Sequence, residues 1–361
     1  MRLKKWPEPF TAFTAAAPVI LTLILGYAGA MLGRWVHLPV PALLGSAIFL
    51  SLLSFSPLPL RIPDLLRNIG FTILGCSMGS GISREMLALL GNWPLSLFGL
   101  TVTVIVMMLL CSALLRHFFA MSPTTALLAS TPGGLSMVVA LGEARGADLR
   151  AVLVLQSVRL ILVMAVLPLV ITGLDAHVVT AFAPPVTLEP VWILLLPLLA
   201  FVLGNVLEWL RVPAAYLLAG LILSGSGHVG EVLHGNLPTQ LINFGFVVIG
   251  CLVGSRLKGL RWPELKHFAL AAVLSVTLSS LISALAAVLV AYWLALPFGQ
   301  VWVAYSPGGI EAMAALALAL RYDPAYTAAH HLFRIIGLTL ILPWFVGRVY
   351  GRAGGEGQEE V

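Results

Sequence analysis

The sequence predicts an all-α polytopic membrane protein made of two inverted repeats. Each repeat is expected to hold about five transmembrane helices plus one re-entrant or broken Pro-Gly-Gly segment. Three observations carry this reading. Of the 361 residues, 60% are hydrophobic and only 10% charged, whereas a soluble domain carries about 25% charged residues. Apolar runs of about 18 residues or more, long enough to span a bilayer, recur along the chain. The second half also repeats the first at an offset of 175 residues.

Taken in order, the first half has apolar segments at about 12–36, 41–57, 65–82, 90–116, 122–142 and 149–173. The second half has them at about 190–210, 213–226, 239–255, 264–293, 297–319 and 325–347. Residues 1–173 are therefore the first membrane repeat and 190–350 the second. A Pro-rich linker at 174–189, without Lys or Arg, is expected to be periplasmic, and a Gly/Glu-rich tail at 351–361 to be disordered. Met1-Arg2-Leu3-Lys4-Lys5 before an apolar run imitates a signal peptide. The run has a counterpart in the second half, with Trp35 matching Trp209 and Pro39 matching Pro213, so it reads as a retained helix.

The repeat keeps register through residues that chance would not align. Asn68, Gly70, Phe71, Gly75, Cys76, Gly79 and Ser80 match Asn243, Gly245, Phe246, Gly250, Cys251, Gly254 and Ser255. Pro132, Gly133 and Gly134 match Pro307, Gly308 and Gly309, and Asp148, Arg159 and Pro168 match Asp323, Arg334 and Pro343. Loop charges decide the orientation of the halves. If the fifth segment of each half spanned, the loop with Arg256, Lys258, Arg261 and Lys266 would lie outside, against the positive-inside tendency. A re-entrant fifth segment puts that loop, Lys4, Lys5, Arg61, Arg67, Arg116, Arg145, Arg150, Arg211, Arg348 and Arg352 inside. Arg34, Arg84 and Arg321 remain as exceptions. A broken helix that crosses fully is the rival for the fifth segment.

The candidate site gathers at the two breaks. Pro removes a backbone donor and Gly weakens a helix. Broken backbone at membrane depth survives only where protein buries it or water fills a cavity, and paired breaks point to a transporter-type site. Arg159 and Arg334 lie mid-membrane, where an Arg costs about 2.5–3.5 kcal/mol on insertion scales. Gln156 precedes Arg159 by three residues, and His331 and His330 precede Arg334 by three and four. The arginines are read either as a cationic site for a carboxylate or as donors to carbonyls freed by the breaks. Glu311 follows Gly309 by two where the first half has Ser136, so only one half carries a titratable group there. It is read as a proton or cation carrier, or as a partner of Arg334. Asp148 and Asp323 read as helix caps.

The substrate-binding set is thus Pro132, Gly133, Gly134, Ser136, Gln156, Arg159, Pro307, Gly308, Gly309, Glu311, His331 and Arg334. The glycine-dense stretches at 70–80 and 245–255 read mainly as close helix packing, and Cys76 and Cys251 as small packing residues. The His spacing contains no metal motif, and there is no nucleophile elbow or phosphate loop, so no cofactor, metal or enzymatic chemistry is expected.

On its duplicated Pro-Gly-Gly segments the chain resembles the AbrB-duplication family of bacterial integral membrane proteins over roughly 14–348. Members have also been labelled ammonia monooxygenases or regulators, yet the sequence carries no copper-ligand cluster and no basic DNA-binding module. The family's wider similarity to the cation/proton antiporter and anion transporter superfamily implies inverted repeats, a scaffold domain and a mobile core domain. The expected function is secondary transport of a small anionic organic solute by alternating access in the bacterial inner membrane. A proton or sodium ion would couple it, with the lipid bilayer as surroundings, no nucleic acid, and a homodimer compatible with the sequence. The alternative is a membrane-bound regulator or sensor acting on gene expression through a partner.

Overall fold

A computed structural model describes residues 9–82, 91, 93–133, 135–174, 186–260 and 262–350, and for 9–15, 135–136 and 343–350 the backbone alone. The linker at 175–185, the tail at 351–361, and Lys4, Lys5, Arg84, Gly134, Arg261 and Arg352 lie outside the described residues. Among the described residues the regular elements are all helices, apart from one isolated bridge between Thr187 and Asn236. The first half holds α1 (Pro9–Trp35), α2 (Pro41–Leu53), α3 (Asp64–Gly79), α4 (Trp93–Phe119), α5 (Pro123–Ser130), α6 (Leu135–Ala144) and α7 (Leu149–Leu174). The second holds α8 (Pro190–Trp209), α9 (Ala215–Val229), α10 (Thr239–Gly254), α11 (Trp262–Leu294), α12 (Phe298–Tyr305), α13 (Ile310–Ala319) and α14 (Pro324–Tyr350). Seven helices are long and apolar enough to cross a membrane. Each half's fifth apolar run is two short helices, parted at 131–134 and at 306–309.

The elements start where the sequence offers a start. Pro41, Pro123 and Pro190 open helices at positions whose N–H has no helical partner. Asp148 accepts the N–H of Ala151 (3.1 Å) and Asp323 that of Tyr326 (3.0 Å), so both cap the long final helix of their half as expected. Between elements the duplication reappears in the backbone. Left-handed residues recur at matching places: His37 with Arg211 and Val40 with Ala214 at an offset of 174, as for Trp35 and Trp209, and Ala120 with Ala295 and Gly146 with Arg321 at an offset of 175. A β-branched Val at φ 51° is uncommon, so the matching geometry reflects one joint used twice.

The helices pack as two bundles, and each bundle draws on both halves. One contains α1–α3 and α8–α10, the other α4–α7 and α11–α14. Fewer helix pairs meet across the boundary, where α7, α13 and α14 touch α2, α3 and α10. The first bundle is held by its glycines. A Cβ at Gly79 would sit 2.6 Å from the backbone N of Gly225, and one at Gly254 2.6 Å from the Ala47 carbonyl oxygen. In lipid, where burial drives association weakly, such backbone approach is the main adhesive. The equivalent helices α3 and α10 run antiparallel, with Gly70 against Val248 and Ile249 and Gly245 against Leu74.

Gly79→Leu is expected to lower the melting temperature of the purified protein, at a cost of about 1–3 kcal/mol or more from overpacking. Gly337→Ala, where an added Cβ meets nothing within 4 Å, should leave the melting temperature unchanged or raise it slightly, since Ala favours a helix over Gly by about 0.5–1 kcal/mol. Equal melting temperatures for the two variants would show that the glycine contacts do not hold the bundle.

Candidate functional site

Each break begins with carbonyl groups that helix geometry cannot satisfy. Pro132 and Pro307 bring no N–H, and the helices before them stop at Ser130 and Tyr305. The last helix of each half meets these carbonyls with one arginine. Arg334, 4% exposed, donates from Nη1 to the Ser306 carbonyl (2.7 Å) and from Nη2 to that of Gly308 (2.5 Å). Arg159, 6% exposed, donates to the carbonyls of Ala129 and Thr131, each at 3.4 Å. The residues three positions earlier assist. Gln156 donates to the Leu128 carbonyl at 3.0 Å. His331 accepts from Arg334 on Nδ1 (2.8 Å) and bonds the Val303 carbonyl through Nε2 (3.2 Å). Arginine only donates and a carbonyl only accepts. The imidazole of His331 is therefore neutral, with its proton on Nε2.

Of the two readings of the arginines, the contacts answer to the second: they close the open ends of the breaks. The charges themselves stay uncompensated. Among the described residues the ion pairs are Arg67 with Asp64 (2.8 Å) and Arg150 with Glu264 (4.0 Å), and no carboxylate reaches Arg159 or Arg334. The Nε of both is buried without a hydrogen-bond partner. Two positive charges thus sit in the interior beside the breaks.

The other expected site residues fall into place unevenly. Gly133 faces Leu338 of α14, and Gly309 faces Leu160 of α7, so each break abuts the long helix of the opposite repeat. A Cβ at Gly308 would strike the Met313 side chain, its Sδ at 2.6 Å, whereas one at Gly133 would make ordinary contacts. Glu311 lies in the first turn of α13, half-buried. Its suggested pairing with Arg334 does not form, because that guanidinium is turned onto Ser306, Gly308 and His331. Ser136 lies in α6 and Gly134 beside it, but the Ser136 side chain and Gly134 are outside the described residues.

His330 leaves the arginine altogether, as its neighbour's direction on the helix, roughly 100° away, requires. It bonds the Tyr326 carbonyl through Nδ1 (2.8 Å) and Ser96 Oγ through Nε2 (2.9 Å). Ser96 Oγ also bonds the Tyr326 hydroxyl, and the Tyr305 hydroxyl donates to the Ser96 carbonyl (2.5 Å). Sequence reasoning missed this buried network. The signal for it lay in the repeat itself: Tyr305, Tyr326 and His330 stand where the first half has Ser130, Ala151 and Leu155.

Two contacts tie the outer ends of the breaks. The Asp148 N–H donates to Thr125 Oγ1 (2.9 Å), and the Asp323 N–H to Gln300 Oε1 (3.3 Å). The start of α5 thus lies beside the residue that follows α6, and the start of α12 beside the residue that follows α13. Between the two bundles lies a cavity of about 1180 Å³ lined by residues of both, among them Arg34, Ser77, Asn243 and Arg321. A smaller apolar cavity, of about 310 Å³, lies between α4 and α14.

The fold and site define a polytopic helical membrane protein with two broken helices braced by buried arginines. The chain belongs to the AbrB family: the model described as "Transition state regulatory protein AbrB" matches residues 43–350. It is 29% identical over 328 residues to "Putative regulator AbrB" of Escherichia coli (strain K12), covering 85% of this chain and 89% of that protein. It is 25% identical over 296 residues to "Uncharacterized protein YhjN" of Bacillus subtilis (strain 168), covering 77% of each. No solved structure matches.

Arg334→Gln is expected to lower the melting temperature more than Arg159→Gln, since its bonds are shorter and the Gly308 carbonyl it leaves unpaired costs about 1–3 kcal/mol. Thermal melts of both variants in detergent, without added ligand, measure this. A native melting temperature for Arg334→Gln would mean that the break does not depend on its guanidinium.

Proposed function

We propose that the protein is a secondary transporter of a small organic anion in the bacterial inner membrane, working by alternating access. The observation that carries the reading is the pair of buried, uncompensated guanidinium charges at two broken helices. An intramembrane charge marks a functional pathway by default, and a cationic interior favours an anionic passenger. The arginines act mainly through their field, because their Nη donors hold the breaks and their Nε atoms are buried. The N-termini of α6 and α13, the helices that follow the two breaks, add positive partial charge on the same side. Glu311 at the start of α13 carries the coupling proton or cation.

The inverted repeat, 1–173 against 190–350, belongs to this proposal. Antiparallel α3 and α10 support it. So does α4, whose Ser96 in the first turn bonds Tyr326 at the start of α14, while its far end leads into α5 within a few residues. The two broken segments then enter from opposite faces as re-entrant hairpins, in line with the contacts at Thr125 and Gln300. The linker at 174–189 is periplasmic and the arginine-rich loop after α10 cytoplasmic.

The names of the family and of the Escherichia coli relative favour a second reading, a regulator that acts through a partner.

Uptake of small radiolabelled carboxylates into proteoliposomes tests the first reading. Uptake above empty liposomes by at least one carboxylate is expected, and its absence across a broad panel would overturn the proposal. Glu311→Gln should then keep solute exchange but lose the response of uptake to an imposed ion or pH gradient. A variant that still follows the gradient would remove Glu311 from the coupling step.

A further inference from the structure

We infer that the apolar cavity between α4 and α14 is a lipid site, which takes the distal end of one phospholipid acyl chain from the bilayer. Seated there, the chain braces α14 where that helix touches both breaks. The site goes beyond the transport reading and does not rest on it.

Depth and chemistry select the occupant. Ser96 bonds Tyr326, so α4 and α14 start level. Val104 and Arg334 lie about 15–17 Å along them from Trp93 and Pro324, at 1.5 Å per residue. That is half of a hydrocarbon core about 30 Å thick, a depth that chain ends reach and headgroups do not. The cavity, of about 310 Å³, has Thr101 and Arg334 as its polar wall residues. Thr101 donates its proton to the Leu97 carbonyl (2.8 Å). The Nη groups of Arg334 hold the second break, and its Nε is buried. Neither residue is offered to water or to an anion, so the space suits hydrocarbon alone. A dry apolar cavity of about 150 Å³ already binds benzene, and this one is about twice as large.

The cavity is continuous with the lipid-facing surface. Its rim is Ile105 and Leu109 of α4 and Phe333 and Ile341 of α14, which are 43–51% exposed. These extend the outward apolar rows of their helices, with Phe98 and Val102 on α4 and Ile336 and Leu340 on α14. The floor is Val104, Met108 and Leu338, only 5–8% exposed. The repeat shows where the space comes from. Gly337 stands where the first half has Leu162, and a Cβ on it would meet nothing within 4 Å. No close approach therefore requires this glycine, which costs a helix about 0.5–1 kcal/mol relative to Ala. Lipid tails are as apolar as Leu, so a chain end supplies the contacts that a side chain there would make.

Its position gives the chain a consequence. Two wall residues of α14 reach the breaks. Arg334 bonds the carbonyls of Ser306 and Gly308, and Leu338 Cδ1 lies 3.7 Å from the place of a Cβ on Gly133. A chain between α4 and α14 packs behind both residues at once. Without it, α14 lacks packing on that side, and a void forfeits the contacts of its lining. The lipid thus completes the wall that holds the breaks.

Photolabelling tests this in vesicles of phosphatidylethanolamine and phosphatidylglycerol that contain the full-length protein. The probe is a phosphatidylethanolamine with a diazirine at the end of one acyl chain, and adducts are mapped by mass spectrometry. Ordinary lipid contact labels exposed residues such as Leu285 of α11. A chain in the cavity should also label Val104, Met108 or Leu338. Gly337→Phe fills the space and should abolish those adducts while Leu285 stays labelled. Gly337→Leu, which copies the first half, should do the same with less bulk. Adducts confined to exposed residues, or floor adducts that persist in both variants, would overturn the inference. So would equal floor labelling by a probe with its diazirine beside the headgroup. A bound chain stabilises by mass action, so added phosphatidylethanolamine should raise the melting temperature of delipidated native protein more than that of Gly337→Leu. An equal rise would overturn the bracing role.

Discussion

The structure depends on the fate of a few carbonyl oxygens. Two helices are broken inside an apolar interior, and across each Pro-Gly-Gly segment the helical ladder is interrupted: the Gly133 N–H reaches the Thr131 carbonyl (3.0 Å) and the Gly308 N–H the Ser306 carbonyl (2.8 Å) instead of a carbonyl one turn back. In lipid an unpaired carbonyl has no water to turn to. A guanidinium answers this because it offers several donors in one plane from a single side chain. In both halves the arginine bonds the carbonyl 28 residues before it, Thr131 for Arg159 and Ser306 for Arg334. That spacing forces α7 and α14 to run back along the arm that precedes each break. The packing of the second bundle follows from it.

The two repeats share this backbone solution but not its tightness. The second break is gripped at 2.7 and 2.5 Å and backed by His331. The first is held at 3.4 Å, with Gln156 in place of the histidine. Bonds of that length are weak. The second half is further pinned by the Ser96, Tyr305, Tyr326 and His330 network, which ties α12 and α14 to α4. The first break is consequently the looser of the two. It also lacks the carboxylate that Glu311 brings to the other. Divergence between the repeats has separated a tightly held side with a carboxylate from a more loosely held one without.

Much of this was legible in the residues. The apolar runs located every long helix to within a few positions, because apolar length and helix breakers act locally. The breaks and the arginines beside them were visible for the same reason. What the arginines touch was not, since a cationic side chain mid-membrane reads equally as ligand or brace until the neighbouring carbonyls are placed. The division into two bundles was hidden as well: α3 packs with α9 and α10, from the other half, and no local pattern encodes such a partner.

The distribution of close contacts bears on how such a molecule moves. Within the first bundle, glycine backbones touch neighbouring backbones, as Gly79 does Gly225 and Gly254 does Ala47. Packing of that kind has no slack, so α1–α3 and α8–α10 behave as one body. Across the boundary the contacts thin out and a large cavity takes their place. Relative motion is the default for bodies joined by a small interface, and here the joint falls between bundles rather than between repeats. Both arginines and both breaks belong to the second bundle. Any solute held at the breaks would therefore shift with that bundle against the first, and the cavity walls that carry Arg34 and Arg321 would separate or close as it did. A motion confined to one repeat would instead have to part the glycine contacts that join α3 to α9 and α10, where a Cβ at Gly75 would sit 2.2 Å from the Leu217 carbonyl oxygen.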